Sequence, residues 1–148
     1  MKSIIIKSMT VLFICTSLFG FTSKPGGEGF EILLNNEVVL QQFGNSMNTV
    51  KSLRLNQSSQ NEKLSIKYFH CGKIGKNRTI TLKNSQDKVL KTFSYKDVST
   101  ASSAMMLNVK DILAIKKENG NSIKLYYAAS ELANERMLAI LIIPDIAK

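Results

Sequence analysis

Apolar residues recur at every second position in short stretches separated by turn-forming residues, and this period of two is the feature that most restricts what the chain can become. Leu64, Ile66 and Tyr68 alternate with Ser65, Lys67 and Phe69, and Ile80 and Leu82 repeat the pattern. Ile123, Leu125 and Tyr127 do so again. Successive side chains on a strand point to opposite faces, so such stretches describe sheets with one buried face. Phe30, Ile32 and Leu34 alternate in FEILLNNEVVLQQF, a hairpin turning at Asn35-Asn36. A two-residue loop there sets Leu34 against Glu37, whereas matching the apolar faces through Val38, Leu40 and Gln42 needs three, so the register stays open. Residues 50–55 give a third strand, and RTITLK with KVLKTFSY a second hairpin across residues 84–87, with Val89, Phe93 and Tyr95 facing as Ile80 and Leu82 do. Residues 105–107 continue as strand. MLAILII, residues 137–143, is an apolar run ended by Pro144 and reads as a central buried strand, far too short to span a bilayer.

One segment departs from that period. In residues 105–120, Val109, Ile112 and Leu113 recur at helical spacing. Asn108 stands ready to cap the start, Asp111 lies in the first turn, and Lys116, Lys117 and Gly120 mark the end. Many short strands with one short helix predict a mainly β chain, an antiparallel β-sandwich of immunoglobulin-like or related topology. An open barrel with a helix over one end shares the same local pattern.

The amino terminus predicts export. Lys2 and Lys7 precede an apolar run over residues 9–21, the composition of a secretory signal, with cleavage expected after Thr22. Lipid anchoring at Cys15 is disfavoured, because bulky Ile14 stands where lipoprotein signals carry a small residue. The expected organisation is a signal peptide (1–22), a flexible entry (23–29), one domain (30–144) and a short tail (145–148). Some 120 residues suffice for a hydrophobic core without disulfide staples. The whole chain carries 20 basic and 11 acidic side chains, a net charge of +9. Lys63, Lys67, Lys83, Lys91 and Lys124 lie singly along strands without interleaved aromatics, the pattern of a solvated sheet face, so nucleic acid is not an expected partner. No transmembrane segment is expected once the signal is removed, and the expected location is periplasmic or secreted.

Reactive chemistry concentrates in residues 63–76, KLSIKYFHCGKIGK, which hold the only histidine, His70, beside Cys71. If the strand phase continues, His70 points inward and Cys71 outward. The residues His70, Cys71, Gly72, Lys73, Lys76 and Arg78 form the candidate binding or reactive loop. Their glycines and cations faintly resemble a phosphate cradle, without the spacing GxxxxGK[ST], and a solvated basic turn accounts for the same residues. Arg78, on the face of Ile80 and Leu82, is expected to snorkel over the sheet edge or pair with an acid such as Asp97. A cysteine nucleophile needs a base oriented by a third group, and a metal needs donors beyond His70 and Cys71. A thiol packed near the strand end is the simpler alternative. GxSxG, HExxH and CxxC are absent, no carboxylate pair stands out, no cofactor is called for, and no residue is assigned a catalytic role.

The export signal, the strand ending in His70-Cys71-Gly72, and the close from Tyr126-Tyr127 through Arg136-Met137-Leu138-Ala139-Ile140 together resemble small uncharacterised exported β-rich proteins of Bacteroidota-type bacteria. That resemblance implies a Gram-negative envelope location and no particular activity. Two expectations follow: a non-enzymatic binding or assembly module meeting an envelope ligand or protein, and, as the alternative, thiol or metal handling at Cys71 and His70.

Overall fold

The structure, a computed structural model, describes residues 27–100 and 103–145. The signal segment with Cys15, most of the flexible entry and the last three residues of the tail lie outside the described residues. Among the described residues nine strands form two sheets: β1 (Gly29–Leu34), β2 (Glu37–Phe43), β3 (Lys51–Arg54), β4 (Lys63–Phe69), β5 (Thr79–Lys83), β6 (Val89–Ser94), β7 (Met105–Asn108), β8 (Ser122–Ala128) and β9 (Arg136–Ile142). One sheet runs β2-β1-β4-β7 and the other β3-β9-β8-β5-β6. A single apolar core unites them: Phe30, Ile32 and Ile66 of the first lie in one cluster with Ile80, Leu82, Leu125 and Tyr127 of the second. This is the mainly β sandwich with one short helix that the alternation predicts.

One feature corrects the antiparallel expectation, since β3 runs parallel to β9. Such pairing needs a long crossover, and here nearly the whole domain lies between the two strands. Residues 137–143 supply the buried strand expected of them, with Leu138, Ala139, Leu141 and Ile143 in the core.

The register left open at the first hairpin is settled by a bulge. Asn35 and Asn36 both take positive φ, 50° and 72°, the signature of a two-residue type I′ turn. That turn does set Leu34 against Glu37, and the register shifts between Ile32 and Leu33 so that Ile32 meets Leu40 and Phe30 meets Gln42. An extra residue thus restores the buried face that a straight ladder would have inverted. Gln42 is the buried polar member, and its amide donates to the Ser46 and Thr49 carbonyls. In the second hairpin a shift between Leu82 and Lys83 leaves Val89 exposed, contrary to its expected inward placement, while Phe93 and Tyr95 pack against the core.

The helix α1 (Val109–Asn119) buries Val109, Ile112 and Leu113 as the spacing predicts. Asn108 occupies the N-cap without a side-chain cap bond, and the Val109 amide instead donates to the Glu62 carbonyl at 3.1 Å. Gly120 takes φ 85°, a left-handed value that favours glycine at a helix end. Because Lys63 at the start of β4 pairs with Asn108, α1 lies at the end of the sandwich opposite His70, which follows the end of β4. No helix among the described residues is long and apolar enough to cross a membrane.

The type I′ turn makes a direct prediction. Asn36→Gly should leave urea stability unchanged or slightly raised, whereas Asn36→Val should lower it by about 1–2 kcal/mol, because a β-branched residue resists the left-handed conformation.

Candidate functional site

At the end of the sandwich away from α1, three chain segments converge. Gly29 pairs with Phe69, which brings Glu28 beside His70, and Tyr127 pairs with Arg136 across β8 and β9. The loop between β8 and β9 is fastened to the segment after His70. The Ser130 amide donates to the Lys76 carbonyl, and the Lys76 amide to the Glu131 carboxylate, both at 2.9 Å. The Asn77 side-chain amide reaches Ser130 Oγ at 2.9 Å.

Between these segments opens a cleft of about 340 Å³, lined by Glu28, His70, Cys71, Lys73, Glu131, Leu132, Ala133 and Arg136. A neighbouring hollow of about 470 Å³ shares Leu132, Ala133 and Arg136 as walls and continues to Met47, Val50 and Met137.

His70 forms the floor. It is buried as the strand phase predicts, and its Nε2 lies 2.8 Å from the Tyr127 hydroxyl. The Tyr68 ring stacks on Tyr127 with centroids 4.3 Å apart and sits 4.7 Å from the His70 ring. Tyr68 belongs to β4 and Tyr127 to β8, so this aromatic group joins the two sheets directly beneath the cleft. The Tyr68 hydroxyl donates to Glu28, which in turn lies 3.5 Å from Arg136. Gly75 closes over the joint. A Cβ at Gly75 would lie 2.8 Å from both His70 Nε2 and the Tyr127 hydroxyl, so only glycine lets the backbone approach this closely.

Electrostatics follow from this packing. Burial holds the His70 imidazole below the ordinary histidine value of 6.5, opposed by Glu131 and Glu28 and assisted by Arg78 and Lys73. His70 is therefore neutral near pH 7. Burial pushes the Tyr127 and Tyr68 phenols up, the latter reinforced by Glu28, so both stay protonated. The Lys76 amide holds the Glu131 carboxyl below its usual range.

The candidate loop divides. His70, Cys71 and Lys73 line the cleft, while Gly72 turns the backbone and Lys76 contributes its main chain. Cys71 is exposed, not packed in the interior, because His70 and Lys73 close a tight turn whose central residues Cys71 and Gly72 take φ 50° and 84°. Arg78 departs from expectation. It is buried and donates to the carbonyls of Ser103 at 2.9 Å and Lys96 at 3.1 Å. Asp97 instead accepts from the Asn77 amide at 2.8 Å. Arg78 thus ties down the ends of the loop between β6 and β7 and supplies no cation to a phosphate cradle. Its Nε lacks a hydrogen-bond partner among the described residues. Among those residues no three His, Cys, Asp or Glu side chains group as a metal site.

Sequence reasoning missed Glu28, Glu131 and Arg136, which reach the cleft only through the pairing of strands and the docking of the β8–β9 loop. Alternation did place Tyr127 inward. Set beside known proteins, the chain matches no family model and no curated protein sequence.

The depressed histidine gives stability a definite pH dependence. The unfolded chain takes up a proton near the ordinary value of 6.5 while the folded chain resists it, so stability falls as pH drops below that value, until the folded group itself titrates. Thermal melting from about pH 7.5 down to about 5.5 should show this loss. His70→Gln should flatten the slope across that window, since His70 is the only histidine; an unchanged slope would contradict the assignment.

Proposed function

We propose that this chain is an exported, non-enzymatic binding or assembly module of the bacterial envelope, and that it meets its ligand or partner at the cleft between the His70–Lys76 segment and the β8–β9 loop. The observation that carries this reading is the cleft's construction: charged, accessible walls stand on a buried, packed aromatic floor. Binding sites need that division between adaptable contact groups and a support that does not rearrange. The floor also argues for binding over acid–base chemistry. The desolvated His70 directs Nε2 to Tyr127, whereas a nucleophilic cysteine would need that base directed to itself. Export rests on the charged and apolar character of residues 1–22 and on the resemblance to envelope proteins.

The alternative, thiol or metal handling at Cys71 and His70, is favoured by one observation: Cys71 is exposed at the lip of the cleft. It would need further donors or a resolving thiol from a partner.

Two measurements on the protein recovered from the cell envelope test the reading. Its intact mass should begin near Ser23 and carry no lipid. A photo-cross-linking residue in place of Lys73 should form an adduct in the envelope, while the same residue at exposed Thr92 on β6 should not. An uncleaved cytoplasmic chain, or equal labelling from both positions, would refute the proposal.

A further inference from the structure

The cleft gathers charges of both signs, only two of which pair with each other. Lys73 is exposed and makes no ion pair among the described residues. Glu131 accepts from the Lys76 amide through Oε2 and makes no ion pair among the described residues. Glu28 and Arg136 form an ion pair at 3.5 Å, longer than the roughly 2.7–2.9 Å of a tight charge-assisted hydrogen bond; both are about one-third exposed, and Glu28 also accepts from the Tyr68 hydroxyl. Two acids and two bases therefore wall one small space. A simple anion entering it would face Glu28 and Glu131, and a simple cation would face Lys73 and Arg136. A neutral sugar would lack the exposed aromatic platform it favours, since Tyr68 and Tyr127 are buried beneath His70. A molecule bearing both charges finds a group of opposite sign for each in the lining.

Size narrows the class further. At about 340 Å³ the space lies near the small end of ligand pockets, which span about 300–1,000 Å³. His70 adds a neutral polar group at the floor: with Nε2 engaged by Tyr127, Nδ1 is the nitrogen left for a ligand, as donor or acceptor according to its tautomer.

We infer that the cleft binds a small zwitterion, an amino acid or short peptide, with its carboxylate toward Lys73 and Arg136 and its ammonium toward Glu131 and Glu28. This inference rests on the proposed reading of the cleft as the binding site and specifies its ligand. Interactions of this kind hold position through charge and hydrogen bonding, so affinity should fall with added salt.

The test is a nuclear magnetic resonance titration of the ¹⁵N-labelled protein expressed from its full coding sequence. Glycine, β-alanine and dialanine serve as zwitterionic probes. Acetate, methylammonium and an equimolar mixture of the two present the same charges unlinked. At least one zwitterion should shift the Lys73, Lys76 and Glu131 amides saturably, with the unlinked ions binding at least tenfold more weakly. Comparing glycine with dialanine separates the free amino acid from the peptide. Lys73→Ala and Glu131→Gln, both solvent-accessible, should each weaken binding by about tenfold while leaving resonances outside the cleft in place. Saturable binding of acetate or methylammonium alone at equal strength, no response to any zwitterion, or full affinity in both variants would overturn the inference. Envelope cross-linking from position 73 reads the cleft independently, so its success alongside a failed titration would reject the zwitterion and retain the cleft.

Discussion

The hydrogen bond between His70 and Tyr127 is the contact on which the rest of the site end depends. It lies in the interior, where a satisfied polar pair contributes on the order of 1 kcal/mol net but an orphaned partner costs about 1–3 kcal/mol. Three features converge on it. Tyr68 stacks across from the opposite sheet, Gly75 brings its backbone into contact, and Lys76 in the segment that follows is fastened to the β8–β9 loop by the Ser130 amide and the Glu131 carboxylate. Moving His70 would therefore disturb the inter-sheet packing and both loops that wall the cleft.

Charge is arranged around this joint in layers. Arg78, buried, binds backbone carbonyls and holds the β6–β7 loop. Its proximity helps keep His70 neutral. Outside that layer, Glu28, Glu131, Lys73 and Arg136 line a space open to water. The outer face of the larger sheet is different: Lys83 bonds Glu135 and lies 4.4 Å from the Tyr126 ring centroid, and Lys124 pairs with Asp87 at 2.8 Å. Those exposed pairs contribute little stability individually.

Much of the fold was legible because a period of two assigns faces without knowledge of neighbours. It put Ile66, Leu82, Leu125 and Tyr127 inside, His70 inward and Cys71 outward, and helical spacing found α1. Pairing partners leave no comparable local mark. The parallel contact of β3 with β9 joins residues far apart in sequence, and the bulge beside Leu33 depends on two faces being matched at once. The candidate site was legible only in part for the same reason. His70, Cys71 and Lys73 are local to one turn, whereas Glu28, Glu131 and Arg136 arrive from other strand ends. Arg78 was misjudged because its partners are main-chain carbonyls of a loop, which any sequence supplies.

The central claim is that a neutral, fixed His70 anchors the cleft to the core, and its most direct test is a long-range ¹H–¹⁵N spectrum of the imidazole followed through a pH titration. The account predicts a neutral imidazole with Nε2 hydrogen-bonded to Tyr127 and titration below the ordinary histidine value of 6.5. Titration near 6.5 would show a ring exposed to water and would contradict a buried His70 at the floor of the cleft.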